Sequence, residues 1–217
     1  MTASMTLDWP LVGWPRFDTT VRLWRRPLSL RVDVDHAVRD LEVELDKLHQ
    51  RLQEMGVMVA SEKDEDLLPG FRVYSREADG ELYVYVEDIA AKRLAGYTVF
   101  SRLVELDRHA DRILRAPHTK IRAAYQRRGL ATTIYRRALD QGQCLITGAR
   151  QSVGAHGLWQ ALSGLYAHFY VDLRDKRVTY LGDNPQAQVR GALHTRWILL
   201  GRNREFEAVA TQLQMEL

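Results

Sequence analysis

The sequence predicts an α/β (α+β) fold: a mixed sheet with helices on both faces. Three observations predict it. Runs that alternate apolar and polar residues, such as ELYVYVED at 81–88, recur from residue 71 onward. Two stretches with helical spacing, Gly129 to Asp140 and Ser152 to Leu162, interrupt them. The resulting order is three strands, helix, strand, helix, three strands, preceded by a helical region. That order suits a sheet covered on both sides.

The elements follow in turn. TTVRLWRRPLSLRVDV, within residues 1–34, alternates and reads as one or two strands with turns. Asp35 is placed to cap a helix over 36–55. Val38, Leu41, Leu45, Leu48, Leu52 and Met55 give that helix one apolar stripe, suited to packing on a sheet or to a partner helix. Gly56 ends it, and residues 61–70 are a charged loop closed by Pro-Gly. FRVYSREADG is a strand with a turn, and ELYVYVED is the second strand. Residues 93–105 are its hairpin partner, across a turn near Ile89 to Lys92. Residues 112–125 are a third extended run, which Pro117 is expected to make irregular. After the first helix, QCLITGA is a short apolar strand. LYAHFYVDL, RVTYLG and LHTRWILLG close the sheet, the first two joined across Arg174 and Asp175. A short helix at about 203–214 ends the chain.

Composition excludes several classes. Of 217 residues, 46% are hydrophobic and 27% charged, the balance of a chain with a real core. No apolar run reaches the roughly 18 to 20 residues of a membrane helix. The start, MTASMTLDWPLVGW, lacks the basic and apolar blocks of a secretory signal, so the expected location is cytoplasmic. A single cysteine, Cys144, builds neither an internal disulfide nor a zinc site, and no metal is expected. The formal charge of +3 is too small to argue nucleic-acid binding. Arg115, Arg122, Arg127, Arg128, Arg136, Arg137 and Arg150 nevertheless cluster, which favours an anionic ligand.

The stretch IRAAYQRRGLATTIYRRAL, residues 121–139, sets Gly129 between a strand and a helix. Glycine there permits unusual backbone angles and close approach of a ligand. The N–H groups of the following turn have no internal partners and make an anion site. Arg127 and Arg128 add charge-assisted contacts. Neither a Walker P-loop nor a Rossmann fingerprint is present.

Gln126, Gly129 and Ala131 match the [RQ]-x-x-G-x-[GA] loop, and with these residues the chain resembles the GNAT (general N-acetyltransferase) superfamily. QSVGAHGLWQALSG resembles the family's next helix at Ala155, Leu158 and Gly164. Gly96 and Tyr97 look like the "G-Y" of its third strand. The resemblance covers about 71–200, giving a GNAT-like domain at 71–217 after an N-terminal strand and helix segment at 1–70. It implies a mostly antiparallel central sheet in which two parallel strands, here 117–123 and 143–148, splay apart around acetyl-CoA. It also implies backbone contacts from Ile121 and Ala123 to the pantetheine arm, with the Ile121 N–H polarising the thioester. Gln126 belongs to the loop, and the amides of Arg127, Arg128, Gly129, Leu130 and Ala131 would hold the pyrophosphate, with the Thr132 hydroxyl beside them.

By the same resemblance an amine attacks the thioester directly. Ser152 stands where the family often has a cofactor-contacting Asn, and Trp159 where it has the tyrosine that protonates the thiolate. Tyr166 is the alternative acid. His118 is the first candidate base; His156, Glu87 and Glu105 are others, and Arg115 is a candidate for an acidic group of the acceptor. Cys144 reads as core. Two other readings stay open: a binding protein that uses the arginines for nucleic acid or another acidic partner, and a CoA-binding protein without catalysis. The first 70 residues are expected to wall the acceptor groove or to mediate a homodimer.

Overall fold

Leu45, Leu48 and Leu52 fall on one side of a helix, and all three are buried. They belong to α1 (Val38–Glu54), which lies against the third strand of the sheet. The stripe read from sequence is therefore used inside the chain. The computed structural model describes residues 38–56, 68–103, 105–106, 110–190 and 192–217. The strands expected within 1–34, the Asp35 cap and most of the charged loop at 61–70 lie outside the described residues.

Short turns join the strands of the first half of the sheet. Asp79 and Gly80 both have positive φ, 53° and 75°. Such a pair matches the twist of a tight hairpin. It joins β1 (Phe71–Ala78) to β2 (Glu81–Asp88), and β3 (Arg93–Ser101) returns across a turn in which the Ala91 N–H donates to Asp88 at 2.9 Å. β3 stops at Ser101, short of the expected 105. β4 (Leu114–Ile121) pairs antiparallel with β3. Then follow α2 (Leu130–Asp140), β5 (Cys144–Ile146), α3 (Val153–Ser163), β6 (His168–Arg174), β7 (Arg177–Gly182), α4 (Ala187–Arg190), β8 (Thr195–Leu199) and α5 (Phe206–Gln212).

The eight strands of the described residues form one sheet in the order β1-β2-β3-β4-β5-β8-β6-β7. All neighbours are antiparallel except β4 and β5. The last strand is inserted between β5 and β6, which no local signal foretold. Alternation then sorts the side chains. Leu145, Leu199 and Trp197 face α2 and α3, in a core with Val73, Val84, Leu130, Ile134 and Trp159. Cys144, Ile146, Phe169 and Ile198 face the other way, toward Val209 and Leu213 at α5. Helices thus cover both faces of the sheet, as expected.

Pro117 does not break β4. The register with β3 runs unbroken from Gly96↔Ile121 to Ser101↔Ala116. The Arg122 N–H donates to the Ala95 carbonyl, so by alternation the even-numbered residues of β4 bond to β3. The missing N–H of Pro117 therefore falls on the opposite side, where it disturbs no β3 pairing.

Gly96 is fixed by this same pairing. A Cβ there would press into the Lys120 carbonyl oxygen and lie 2.9 Å from the Ile121 Cα, both backbone. Gly96→Ala is expected to lower stability by about 1–3 kcal/mol through overpacking, read as a drop in urea midpoint. An unchanged midpoint would contradict this account of the β3–β4 contact.

Candidate functional site

β4 and β5 are partners at only two residue pairs, Leu114↔Cys144 and Arg115↔Leu145. Beyond them β5 continues toward β8, with the Thr147 N–H on the Trp197 carbonyl and the Trp197 N–H on the Thr147 hydroxyl. β4 stays with β3. The two parallel strands therefore part, leaving a gap that widens toward Ile121. By the alternation above, the N–H groups of Thr119 and Ile121 point into it. The Ile121 carbonyl accepts from the Gln126 side chain at 3.0 Å. Ala123 is not a continuation of the strand, contrary to expectation. It opens a short 3₁₀ turn through Tyr125, and its carbonyl accepts the Gln126 N–H.

Above the gap stands the start of α2. Arg127 and Gly129 both have left-handed backbones, φ 59° and 83°. Gly129 is the N-cap residue, and no side chain caps the helix. The N–H groups of Leu130, Ala131 and Thr132 lie in the first turn, where a helix supplies no internal acceptor. A Cβ on Gly129 would meet nothing within 4 Å, so the approach to these groups is open. Gln126, Arg127, Arg128 and Gly129 are exposed. The Arg128 guanidinium is held over the rings of Phe71 and Tyr125, at 5.1 and 5.4 Å. Loop, glycine and positive charge converge where an anion would sit.

The other side of β4 is built by α1. Arg122 is only 1% exposed. Its Nε donates to the Leu94 carbonyl at 2.6 Å, and its two Nη atoms meet Glu42 and, at 2.5 Å, Asp46. Arg122 is consumed by α1 and so leaves the arginine cluster inferred from sequence. Lys120 is also buried and donates to Glu44 at 2.6 Å. Glu44 accepts from the Tyr97 hydroxyl at 2.9 Å as well. His118, two residues before Lys120, faces this same side. Its Nε2 is buried without a hydrogen-bond partner. Burial holds its pKa below the ordinary 6.5, Lys120 pushes it the same way, and Glu44 opposes them. Glu44, Lys120 and Tyr97 had no place among the sequence candidates. Their contacts span 53 to 76 residues of chain and leave no local signal.

Several expected site residues lie elsewhere. The Ser152 hydroxyl caps its own helix, accepting from the Ala155 N–H at 3.2 Å. Trp159 is buried, edge-on to Tyr135 and tilted against Trp197, so its ring is core. Tyr166 donates to Asp140 at 2.8 Å. That places it at the C-terminal end of α2, about 16 Å along the helix from Gly129. Its pKa is raised, first by burial and then by the Asp140 bond. Tyr166 thus stands away from the start of α2, whereas Trp159 packs against Tyr135, which the Thr119 hydroxyl meets at 3.1 Å, and against Trp197, which bonds Thr147. His156 is exposed and leans on Trp197. Glu87 accepts from the Tyr74 hydroxyl, and Glu105 pairs with Arg196. Arg115 stands at the floor of the gap, where the strands are still paired. Burial raises the Cys144 thiol, as suits a core cysteine. Among the described residues no group of three His, Cys, Asp or Glu is placed to hold a metal. None of their helices is long and apolar enough to cross a membrane.

No family model matches the chain, and no curated protein matches it. Solved structures do. One is spermidine N-acetyltransferase from Vibrio cholerae in complex with CoA and spermine, at 16% identity, covering 78% of this chain and 79% of that one, with a TM-score of 0.33. Another is ribosomal-protein-S5-alanine acetyltransferase from Vibrio fischeri, at 10% identity, 77% and 74% coverage and a TM-score of 0.34. The first is named an N-acetyltransferase and the second an acetyltransferase, and the likeness is distant. The sheet itself has the parted parallel pair and the helices on both faces that were expected from sequence.

His118 yields a pH prediction. The unfolded chain takes up its proton near 6.5, the folded protein only at lower pH. Stability is then full above the unfolded value and falls as pH drops below it. Between about pH 7.5 and about pH 5.5, the urea midpoint of His118→Gln is expected to fall less than that of the unmodified protein. Equal falls would contradict the buried, neutral imidazole.

Proposed function

We propose that the chain is an acetyl-CoA-dependent N-acyltransferase that moves an acetyl group to an amine by direct attack on the thioester. One observation carries this reading: the gap between β4 and β5 opens directly beneath an uncapped, glycine-led helix start. An extended acyl-CoA arm would add to the free side of β4 as a strand does, using backbone groups of Thr119 and Ile121. Its pyrophosphate would meet the amides from Arg127 to Ala131, with Thr132 alongside. The Gln126 side chain would yield or share the Ile121 carbonyl. The Ile121 N–H would steady the oxyanion that forms as the amine adds.

In this reading the acceptor nitrogen reaches the thioester as a neutral amine and loses its proton as the C–N bond forms. His118, kept neutral by its burial, takes that proton. The C–S bond then breaks and the sulfur leaves as thiolate. With Trp159 in the core and Tyr166 at the far end of α2, protonation of the thiolate falls to water. Positioning in the gap supplies the rest of the acceleration. The burial of Trp159 also favours a second reading, a protein that binds CoA without catalysis. Nucleic-acid binding is less well supported, because Arg122, one of the clustered arginines, is enclosed by α1.

Gly129→Asp puts a carboxylate where the pyrophosphate would lie. Titration calorimetry with acetyl-CoA is expected to show affinity weakened by at least about 100-fold, with the circular dichroism spectrum unchanged. Retained binding would place the cradle elsewhere. Thiol release from acetyl-CoA with spermine and with an amine-bearing peptide then separates the two readings. Binding without turnover of either amine favours the second.

A further inference from the structure

The side of β4 that faces α1 carries a connected set of charged groups which the proposed chemistry uses only through His118. Glu44 holds Lys120 at 2.6 Å and Tyr97 at 2.9 Å with its two carboxylate oxygens. Lys120 and His118 are alternate residues of one strand and so share a face. Opposite them on β3 stand Tyr97 and Val99, and beyond these on β2 stand Tyr85 and Tyr83. The titratable groups around the imidazole are therefore Lys120 from its own strand, Glu44 from α1, and the phenols of Tyr97, Tyr83 and Tyr85. Burial raises the pKa of all three phenols, so they stay neutral through the working range. Among the described residues Lys120 and Glu44 bring charge to His118, and they act on it in opposite directions.

We propose that Glu44 is a positioning residue: reaching from α1 onto Lys120, it sets how readily His118 takes up a proton. This rests on the acyltransferase reading for its purpose, but the coupling is a property of the apo protein. With the carboxylate in place, the Lys120 ammonium is largely offset, and the imidazole remains able to accept a proton from an amine. Without it, a buried ammonium stands beside the ring and makes the imidazolium costlier. Glu44→Gln keeps one acceptor oxygen, for Tyr97, and removes both the charge and the oxygen that Lys120 donates to. Methionine at 120 removes the opposing charge.

The test is an NMR titration of the His118 imidazole in the full chain, compared with Glu44→Gln, Glu44→Asp and Lys120→Met. The midpoint is expected to shift down in Glu44→Gln, return toward the unmodified value in Glu44→Asp, and shift up in Lys120→Met. A purely structural role for Glu44 would leave the midpoint where it was. An unmoved midpoint in Glu44→Gln and Lys120→Met, both folded by circular dichroism, would overturn the proposal. The acidic limb of kcat/KM for thiol release with spermine should follow the midpoint. If the midpoint moves and that limb does not, the coupling stands, and it is the assignment of His118 as base that fails.

Discussion

One constraint governs the architecture: above Arg115, among the described residues, β4 has a hydrogen-bonded strand neighbour on one side only. A central strand with an open edge is unusual, because its unpaired backbone groups lose water without gaining partners. The fold keeps this strand from closing on β5 by holding both strands elsewhere. β5 is drawn to β8 through Thr147 and Trp197. β4 is drawn to β3 by its unbroken register and, at its end, by Arg122. The buried guanidinium joins the Leu94 carbonyl, Glu42 and Asp46 into one knot. The gap is then a maintained feature of the sheet, and a ligand with its own amides fits its hydrogen-bonding needs.

Charge is distributed around β4 with a clear division. On the α1 side three cations meet three acids: Arg122 with Glu42 and Asp46, Arg93 with Glu42, and Lys120 with Glu44. A buried cation requires this, since an unpaired charge in the interior is expensive. On the α2 side the helix start and the exposed Arg127 and Arg128 leave net positive character facing outward. One side of the strand is arranged to be internally neutral and the other to attract an anion. The imidazole of His118 lies on the neutral side, where small changes in its neighbours decide its protonation.

What the sequence revealed and what it concealed follow from range. The turn ahead of α2 was legible because turn, glycine and helix start are contiguous; α2 begins at Leu130, one residue after the expected Gly129, which is its N-cap. The first hairpin was legible because Asp79-Gly80 carries its own turn chemistry, while the turn read at Arg174 and Asp175 falls one residue later, at Asp175-Lys176. The partners of Arg122 and Lys120 were not legible, since they lie about 76 to 80 residues away in sequence. The same holds for Trp159: only the insertion of β8 brings Trp197 against it and makes it core. Pro117 misled for a related reason, because a proline is harmless in a strand whose N–H faces a gap. The extended run past Ile121 ended early because Arg122 is held below the sheet and the chain turns at Ala123.

The central claim is that acyl-CoA lies along the open side of β4 with its pyrophosphate on the start of α2. Amide hydrogen exchange with and without acetyl-CoA tests it most directly. The account predicts new protection at Thr119 and Ile121 and across Arg127 to Thr132, with little change at β1, β6 or β7. Protection confined to other elements, or none at saturating acetyl-CoA, would contradict it.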